Sequence, residues 1–115
     1  MDTLPWEAGL MRVYLGEADV WGQHPLYQEI VNEARRRGIA GATVLRGVMG
    51  FGASSLTRDE APSGISGDCP IIIEIIDRRE RIGALLADLR GMLSGCLVTI
   101  QPVRVPLYRP GSAGE

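Results

Sequence analysis

Three glycines and one arginine lie in a short apolar stretch, "LRGVMGFGASS", at residues 45–55. Gly47, Gly50 and Gly52 form the pattern GxxGxG directly after Arg46. The N–H groups of a glycine-rich turn and an arginine guanidinium both bind phosphate and other anions. The stretch therefore predicts one of two structures. It is either an anion-binding hinge at the base of a loop, or a bulged strand end where two backbones approach closely.

The sequence excludes two established phosphate-binding motifs. A dinucleotide-binding turn reads GxGxxG and opens a helix, whereas these glycines precede a loop-like segment. A P-loop requires a lysine, and the sequence contains none. The glycines must therefore be interpreted from the elements around them.

The segment that follows, residues 53–68, has the sequence "ASSLTRDEAPSGISGD" and predicts a long loop. A structureless loop of this length is uncommon in a compact domain and is usually functional or disordered. Its hydroxyl and charged side chains, Ser54 and Ser55 among them, can bond a ligand or a partner protein. We expect this loop to have a function.

Charged residues in the strands allow two interpretations. Arg46 and Glu74 both lie amid apolar strand residues, and we expect them to form a half-buried ion pair across the sheet. The alternative makes Arg46 a phosphate ligand. Arg104 and Arg109 flank the end of the last predicted strand, from which either could reach an anion.

Composition narrows the class of protein. The chain has 115 residues, 45% of them hydrophobic, which suits a single globular domain. A net charge of −2 argues against binding nucleic acid. The longest apolar run, residues 71–73, is far shorter than the ~20 residues that span a bilayer. We expect a cytoplasmic protein with no membrane insertion.

Cysteine and histidine usage predicts no metal site. His24 is the single histidine, and Cys69 and Cys96 do not form a CxxC pair. We expect both thiols to be reduced, as is usual in the cytoplasm.

The hydrophobic periodicity predicts four strands and two helices. In order, they are a strand over 10–16, a helix over 25–38, a strand within 42–52, a strand over 70–77, a helix over 77–95 and a strand over 96–108. Asp77 and Glu80 resemble a capping box for the second helix. Pro102 and Pro106 favour an edge position for the last strand.

The order β-α-β, loop, β-α-β predicts an α+β, ferredoxin-like sandwich. Its four-stranded antiparallel sheet would have the order 4-1-3-2, with both helices on one face. Ile72 and Ile76 then lie on the other face, opposite Ile71, Ile73 and Ile75. That open face requires another subunit, so we expect a homo-oligomer. Cys69 and Cys96 would begin strands about two strand spacings apart, ~9.6 Å. A disulfide reaches only ~7 Å, so they should not pair.

Three segments give the sequence a recognisable pattern: "RVYLGEADVWGQHPLYQEIVNEARRRGIAGATVLRGVMGFGASS", "DCPIIIEIID" and "LVTIQPVRV". They resemble the family catalogued as domain of unknown function 190, which is grouped with the PII-like signalling proteins. We expect one PII-like domain over 10–108, a flexible lead-in over 1–9 and a disordered tail over 109–115.

The resemblance implies a homotrimer that binds a small effector, such as an adenine nucleotide, in clefts between subunits. It makes loop 53–68 a mobile signalling loop that contacts a regulated target such as a membrane transporter. The residues that match the family's ligand site are Gly50, Phe51, Gly52, Ser54, Ser55, Gly95, Arg104 and Arg109. The turn "SGCL" before the last strand lacks the basic residue typical of PII proteins. A monophosphate, a cyclic nucleotide or another anion therefore fits better than a tightly bound triphosphate.

Two alternatives use the same architecture. An acylphosphatase-type hydrolase needs an arginine and an asparagine together, but Asn32 belongs to the first predicted helix, away from Arg46. A trimeric metal-tolerance protein needs a cluster of metal ligands. We expect no catalytic residues and no firmly bound cofactor.

Overall fold

The computed structural model describes residues 5, 7–52 and 69–111, which form one sheet, a short hairpin and two α-helices. The elements in chain order are β1 (Glu7–Gly16), β2 (Val20–Trp21), β3 (His24–Pro25), α1 (Leu26–Arg36), β4 (Gly41–Arg46), β5 (Pro70–Asp77), α2 (Arg79–Leu89), a 3-10 turn (Arg90–Met92) and β6 (Leu97–Arg104).

The main sheet has the order β4-β5-β1-β6, with every neighbouring pair antiparallel. These are the four predicted strands, so the predicted ferredoxin-like order 4-1-3-2 is confirmed. β6 is an edge strand as predicted. Pro102, which has no N–H to donate, lies within it opposite Gly9 of β1.

One face of the sheet carries the core. Ile71, Ile73 and Ile75 of β5 are at most 2% exposed, whereas Ile72 and Ile76 on the other face are half-buried. The helices cover the buried face with residues at helical spacing. They are Leu26, Ile30 and Ala34 of α1, Ile82, Leu85 and Leu89 of α2, and Leu93 beyond it. Each large aliphatic side chain buried in this way contributes about 1.5–3 kcal/mol.

The other face of the sheet, which we call the open face, has an ion pair at its centre. The register places Arg12 of β1 opposite Glu74 of β5, and Arg12 Nε donates to Glu74 Oε2 at 2.9 Å. Arg12 Nη1 also donates to Gln101 Oε1 at 3.1 Å. The next row toward the β5 start is apolar, with Tyr14 opposite both Ile72 and Leu97.

The expected pair between Arg46 and Glu74 is wrong. Arg46 lies opposite Ile71, and Glu74 lies opposite Thr43. Because alternate strand residues face opposite sides of a sheet, Arg46 and Glu74 are on different faces. Arg46 instead pairs with Glu17, with a 2.5 Å separation between Nη2 and Oε2.

The helix ends depart from prediction at one point. Gly38 follows α1 with φ +67°, as expected of a glycine that ends a helix. The N-cap of α2, however, is Arg78 rather than Asp77, and no side chain caps it. Asp77 is 3% exposed and accepts hydrogen bonds from the N–H groups of Arg78 at 2.6 Å and Ala40 at 2.9 Å. It therefore joins the end of β5 to the connection between α1 and β4.

Two strand boundaries and one short hairpin differ most from the predicted elements. β1 begins at Glu7, inside the expected lead-in, because residues 7–9 pair with the end of β6. β4 ends at Arg46, before the glycines that the sequence places within a strand region. The β2–β3 hairpin was not predicted; it turns at Gly22, whose φ is +66°.

Candidate functional site

A cavity of about 440 Å³ lies beside residues 47–52 and 70–72. The predicted loop 53–68 lies outside the described residues, and we call the described residues that flank it, 46–52 and 69–70, the loop base. The cavity is lined by Tyr14, Leu15, Gly47, Met49, Gly50, Phe51, Gly52, Pro70, Ile71, Ile72 and Leu97. None of these described residues has a charged side chain, so the part of the wall that they form offers apolar surface and backbone groups. Its volume is in the range of small-molecule sites, roughly 300–1,000 Å³.

The first glycine of the pattern is explained by close approach. A Cβ on Gly47 would lie 2.9 Å from Cγ of Pro70, closer than real Cβ contacts. The N–H of Gly47 also donates to the carbonyl oxygen of Pro70 at 2.7 Å. A Cβ on Gly52, in contrast, would have no atom within 4 Å, so space alone does not require glycine there. The sequence predicted either an anion-binding hinge or a close approach of two backbones, and Gly47 fits the close approach.

Three large apolar side chains of the loop base are exposed. Val48, Met49 and Phe51 are 88%, 72% and 85% exposed in the single chain. An exposed aromatic ring beside a cavity can stack on a planar ligand, and an aromatic contact adds about 0.5–1.5 kcal/mol beyond its buried area. The loop base therefore has the chemistry to hold a flat, partly apolar ligand.

Glu17, directly after β1, makes hydrogen bonds to one residue before and one residue after residues 53–68. Its carboxylate accepts from Arg46, and its N–H donates to the carbonyl oxygen of Cys69 at 2.8 Å. The hydrogen bond from Arg46 to this carboxylate raises the pKa of Arg46 above its usual value. One residue thus contacts the chain both before and after residues 53–68.

The structure brings some of the expected ligand residues together. Gly50, Phe51 and Gly52 line the cavity, and Arg46 adjoins it in sequence without lining it. Gly95, with φ +85°, lies just before β6, at the same end of the sheet as the cavity. Ser54 and Ser55 lie outside the described residues.

Two expected ligand residues lie elsewhere in the same chain. Arg104 is at the opposite end of β6 from Leu97, about 23 Å away for seven extended residues. Arg109 follows it by five more residues. Neither residue is among the described residues that line the cavity, so the expected contact with its ligand is not formed within one chain.

Sequence reasoning missed the sheet residues of the cavity. Tyr14, Pro70 and Leu97 line it beside the loop base. Their convergence follows from the register, in which Tyr14 is opposite both Ile72 and Leu97 and Gly16 is opposite Pro70. The predicted strand order already placed these three strands side by side, so aligning their ends was the signal that could have found them.

The structure also bears on metal binding, on Asn32, on the two cysteines and on membrane-spanning helices. Within the described ranges, no group of three His, Cys, Asp or Glu residues could hold a metal ion. Asn32 is exposed in the middle of α1. Cys69 and Cys96 are not joined by a disulfide bond in the structure. Over the same ranges, neither helix has the length and apolar character needed to cross a bilayer.

Comparisons with known proteins place the chain in a family. Residues 8–105 match the model of DUF190, described as an uncharacterized ACR. A UPF0166 protein of Aquifex aeolicus (strain VF5) is 31% identical over 96 residues, which cover 84% of this chain and 90% of that protein. A UPF0166 protein of Methanocaldococcus jannaschii is 32% identical over 83 residues, which cover 72% of this chain and 76% of that protein.

Solved structures share the fold. CPII from Thiomonas intermedia K12, bound to ADP and bicarbonate, superposes with a TM-score of 0.65 at 17% identity, covering 87% of this chain and 89% of that one. A PII-like signalling protein of Thermus thermophilus gives a TM-score of 0.58 at 20% identity, covering 86% and 89%. From these matches and the strand order, the chain belongs to the DUF190 family and has the fold of the PII-like signalling proteins.

Proposed function

We propose that this protein is a non-enzymatic, homotrimeric signalling protein of the cytoplasm. It binds an adenine nucleotide at the loop base and regulates a target protein, such as a membrane transporter, through loop 53–68. The observation that carries this proposal is the cavity of about 440 Å³, with Phe51 and three glycines of the loop base in its wall.

The chemistry of the cavity suits an adenine ring better than a highly charged ligand. Its wall combines Phe51, Tyr14 and Leu97 with the backbone of Gly50 and Gly52. Aromatic and aliphatic side chains hold the base, while backbone N–H and C=O groups select its hydrogen-bonding edge. CPII, which shares the fold, binds ADP in its solved structure.

The open face supports assembly. Tyr14, Ile72 and Leu97 form an apolar row there, and Leu45 of β4 is 43% exposed. Apolar sheet faces of this kind are normally covered by another element. In a closed ring of copies, Arg104 and Arg109 of one chain can approach the cavity of the next, which gives these two arginines a role consistent with their distance from the cavity in their own chain.

The nucleotide proposal is tested by isothermal titration calorimetry with AMP, ADP, ATP and cyclic AMP, each with and without magnesium. Gly52→Val fills open space beside the cavity and should weaken binding by about tenfold or more. Gly91→Val is the matched control, because Gly91 also has open space around it but lies on the 3-10 turn, outside the cavity wall. Absence of binding by all four nucleotides would refute the nucleotide part of the proposal.

The assembly is tested by light scattering, with an expected mass of about three times the 12.4 kDa chain. A monomeric mass at micromolar concentration would refute the trimer.

A further inference from the structure

The ion pair between Glu17 and Arg46 stands beside the cavity rather than in its wall. Arg46 is the residue before Gly47, which does line the cavity. The side chain of Arg46 is 60% exposed and that of Glu17 is 23% exposed, so the Arg46 guanidinium remains accessible to solutes. Arg46 is therefore joined by one peptide bond to a residue of the cavity wall.

An anionic ligand can readily replace Glu17 as the partner of Arg46. Exposed ion pairs are weak because water and salt screen them, and their net contribution is often close to zero. Arginine forms bidentate hydrogen bonds with phosphate and carboxylate alike. A ligand phosphate placed beside Gly47 would therefore compete with the Glu17 carboxylate for the same N–H groups.

The backbone holds Glu17 in place during such an exchange. Its N–H donates to Cys69, and the N–H of Gly47 donates to Pro70 at 2.7 Å. Neither bond involves the Glu17 carboxylate, so the side chain can leave Arg46 while the two ends of the loop stay joined. The structure thus permits a local exchange of partners that leaves the fold unchanged.

We propose that Glu17 is an internal competitor for the anionic group of a ligand bound at the loop base. It occupies Arg46 in the free protein and yields the guanidinium to the ligand's phosphate. Glu17 thereby lowers the affinity for every anionic ligand and leaves the affinity for a neutral nucleoside unaltered. This inference rests on the proposed function, because it assigns the ligand's charged end to the same site.

The test compares AMP, ADP and adenosine by calorimetry in wild type and in Glu17→Gln, which keeps the shape of the side chain and removes its charge. We expect Glu17→Gln to bind AMP and ADP about three- to fivefold more tightly, with adenosine unchanged. Glu80→Gln is the control, because it removes the same charge from an exposed position in the first turn of α2. It should change none of the three affinities.

Arg46→Gln completes a double-mutant cycle. It should weaken AMP and ADP, and Glu17→Gln added to it should have no further effect, because the competition requires both groups. Equal AMP affinity in wild type and Glu17→Gln overturns the inference, as does an equal gain for adenosine.

A second probe separates this inference from the nucleotide proposal. Inorganic pyrophosphate is titrated while the Nε–H signal of Arg46 is followed by NMR. If no nucleotide binds but pyrophosphate shifts this signal at lower concentration in Glu17→Gln, the competition is supported and the adenine proposal fails. If nucleotides bind, but wild type and Glu17→Gln have the same affinity for nucleotides and the same affinity for pyrophosphate, the competition fails and the proposed function stands. If neither probe binds, both fail.

Discussion

The N–H of Gly47 donates to the carbonyl oxygen of Pro70 at 2.7 Å, and a Cβ on Gly47 would come within 2.9 Å of the Pro70 ring. These two residues join β4 and β5 where the chain leaves and re-enters the sheet around loop 53–68. Their contact fixes the geometry of the loop base, because neither backbone can move without breaking the bond or changing the spacing.

Gly47→Ala should therefore destabilise the protein by about 1–3 kcal/mol, the usual cost of forcing a methyl group into an occupied space. Urea unfolding followed by circular dichroism measures this change. Gly52→Ala is the control: a Cβ at this position would have no described atom within 4 Å, and the stability of the variant should stay close to that of wild type. Equal stabilities for the two variants would contradict the close-approach explanation.

The pair of Arg12 and Glu74 should show a measurable coupling. Their side chains are 31% and 34% exposed in the single chain, so screening keeps the coupling to about 0.5–1 kcal/mol. A double-mutant cycle with Arg12→Gln and Glu74→Gln, followed by urea unfolding at low and high salt, measures it. If copies cover the open face as proposed, coupling should be larger in the assembled protein and less sensitive to salt. A coupling abolished by moderate salt in the assembled protein would mean that this face stays exposed.

Asp77 should matter more for stability than any exposed carboxylate. Asp77→Ala removes a buried acceptor from the partly buried N–H groups of Ala40 and Arg78, and we expect a loss of about 1–3 kcal/mol. Asp88→Ala serves as the comparison, since Asp88 is 52% exposed and pairs with Arg37 on the surface. Its loss should remain below about 1 kcal/mol. Similar losses for the two variants would argue against a special role for Asp77.

Cys96 should react slowly with thiol reagents. Burial, with a smaller contribution from the nearby Asp19 carboxylate, raises the pKa of the Cys96 thiol to about 11. Only the thiolate reacts, so in a Cys69→Ser protein at pH 8 we expect iodoacetamide labelling at least about tenfold slower than in the urea-unfolded chain. Equal rates in the folded and unfolded protein would show that the thiol is not protected.

The same pKa shift predicts a pH dependence of stability. The folded protein keeps the Cys96 proton to a higher pH than the unfolded chain does, since the usual thiol value is 9.0. The stability linked to this proton is fully present below pH about 9 and is lost as the pH rises toward 11. Unfolding free energies of wild type and Cys96→Ser, measured from pH 8 to 11, should therefore diverge, with wild type losing more. Parallel curves would exclude this linkage.

The strand order could be predicted because the relevant signals are local. β5 alternates so regularly that Ile71, Ile73 and Ile75 had to share one face, and α1 carries its apolar residues at helical spacing before Gly38. These patterns, with the chirality of the connections, leave few topologies. The family resemblance was confirmed by the match over residues 8–105.

The partners of charged residues could not be predicted in the same way. Whether Arg46 faces Glu74 or Glu17 depends on register, and a shift of one residue moves a side chain to the other face. Asp77 resembles a cap because its spacing to Glu80 is common at helix starts, yet the structure uses it to hold Ala40, which lies 37 residues earlier. The cavity wall likewise requires residues of β1, β5 and β6 to be aligned at their ends, which no local pattern shows.

The position of β1 between β5 and β6 has a consequence for how the chain folds. β1 is made first, but Arg12 finds its partners Glu74 and Gln101 only 62 and 89 residues later. β1 therefore stays without sheet neighbours until β5 and β6 have been synthesised, and the sheet should assemble only after that point. Such non-local pairing closes slowly, and a product truncated before β6 would leave one edge of β1 uncovered and prone to aggregate.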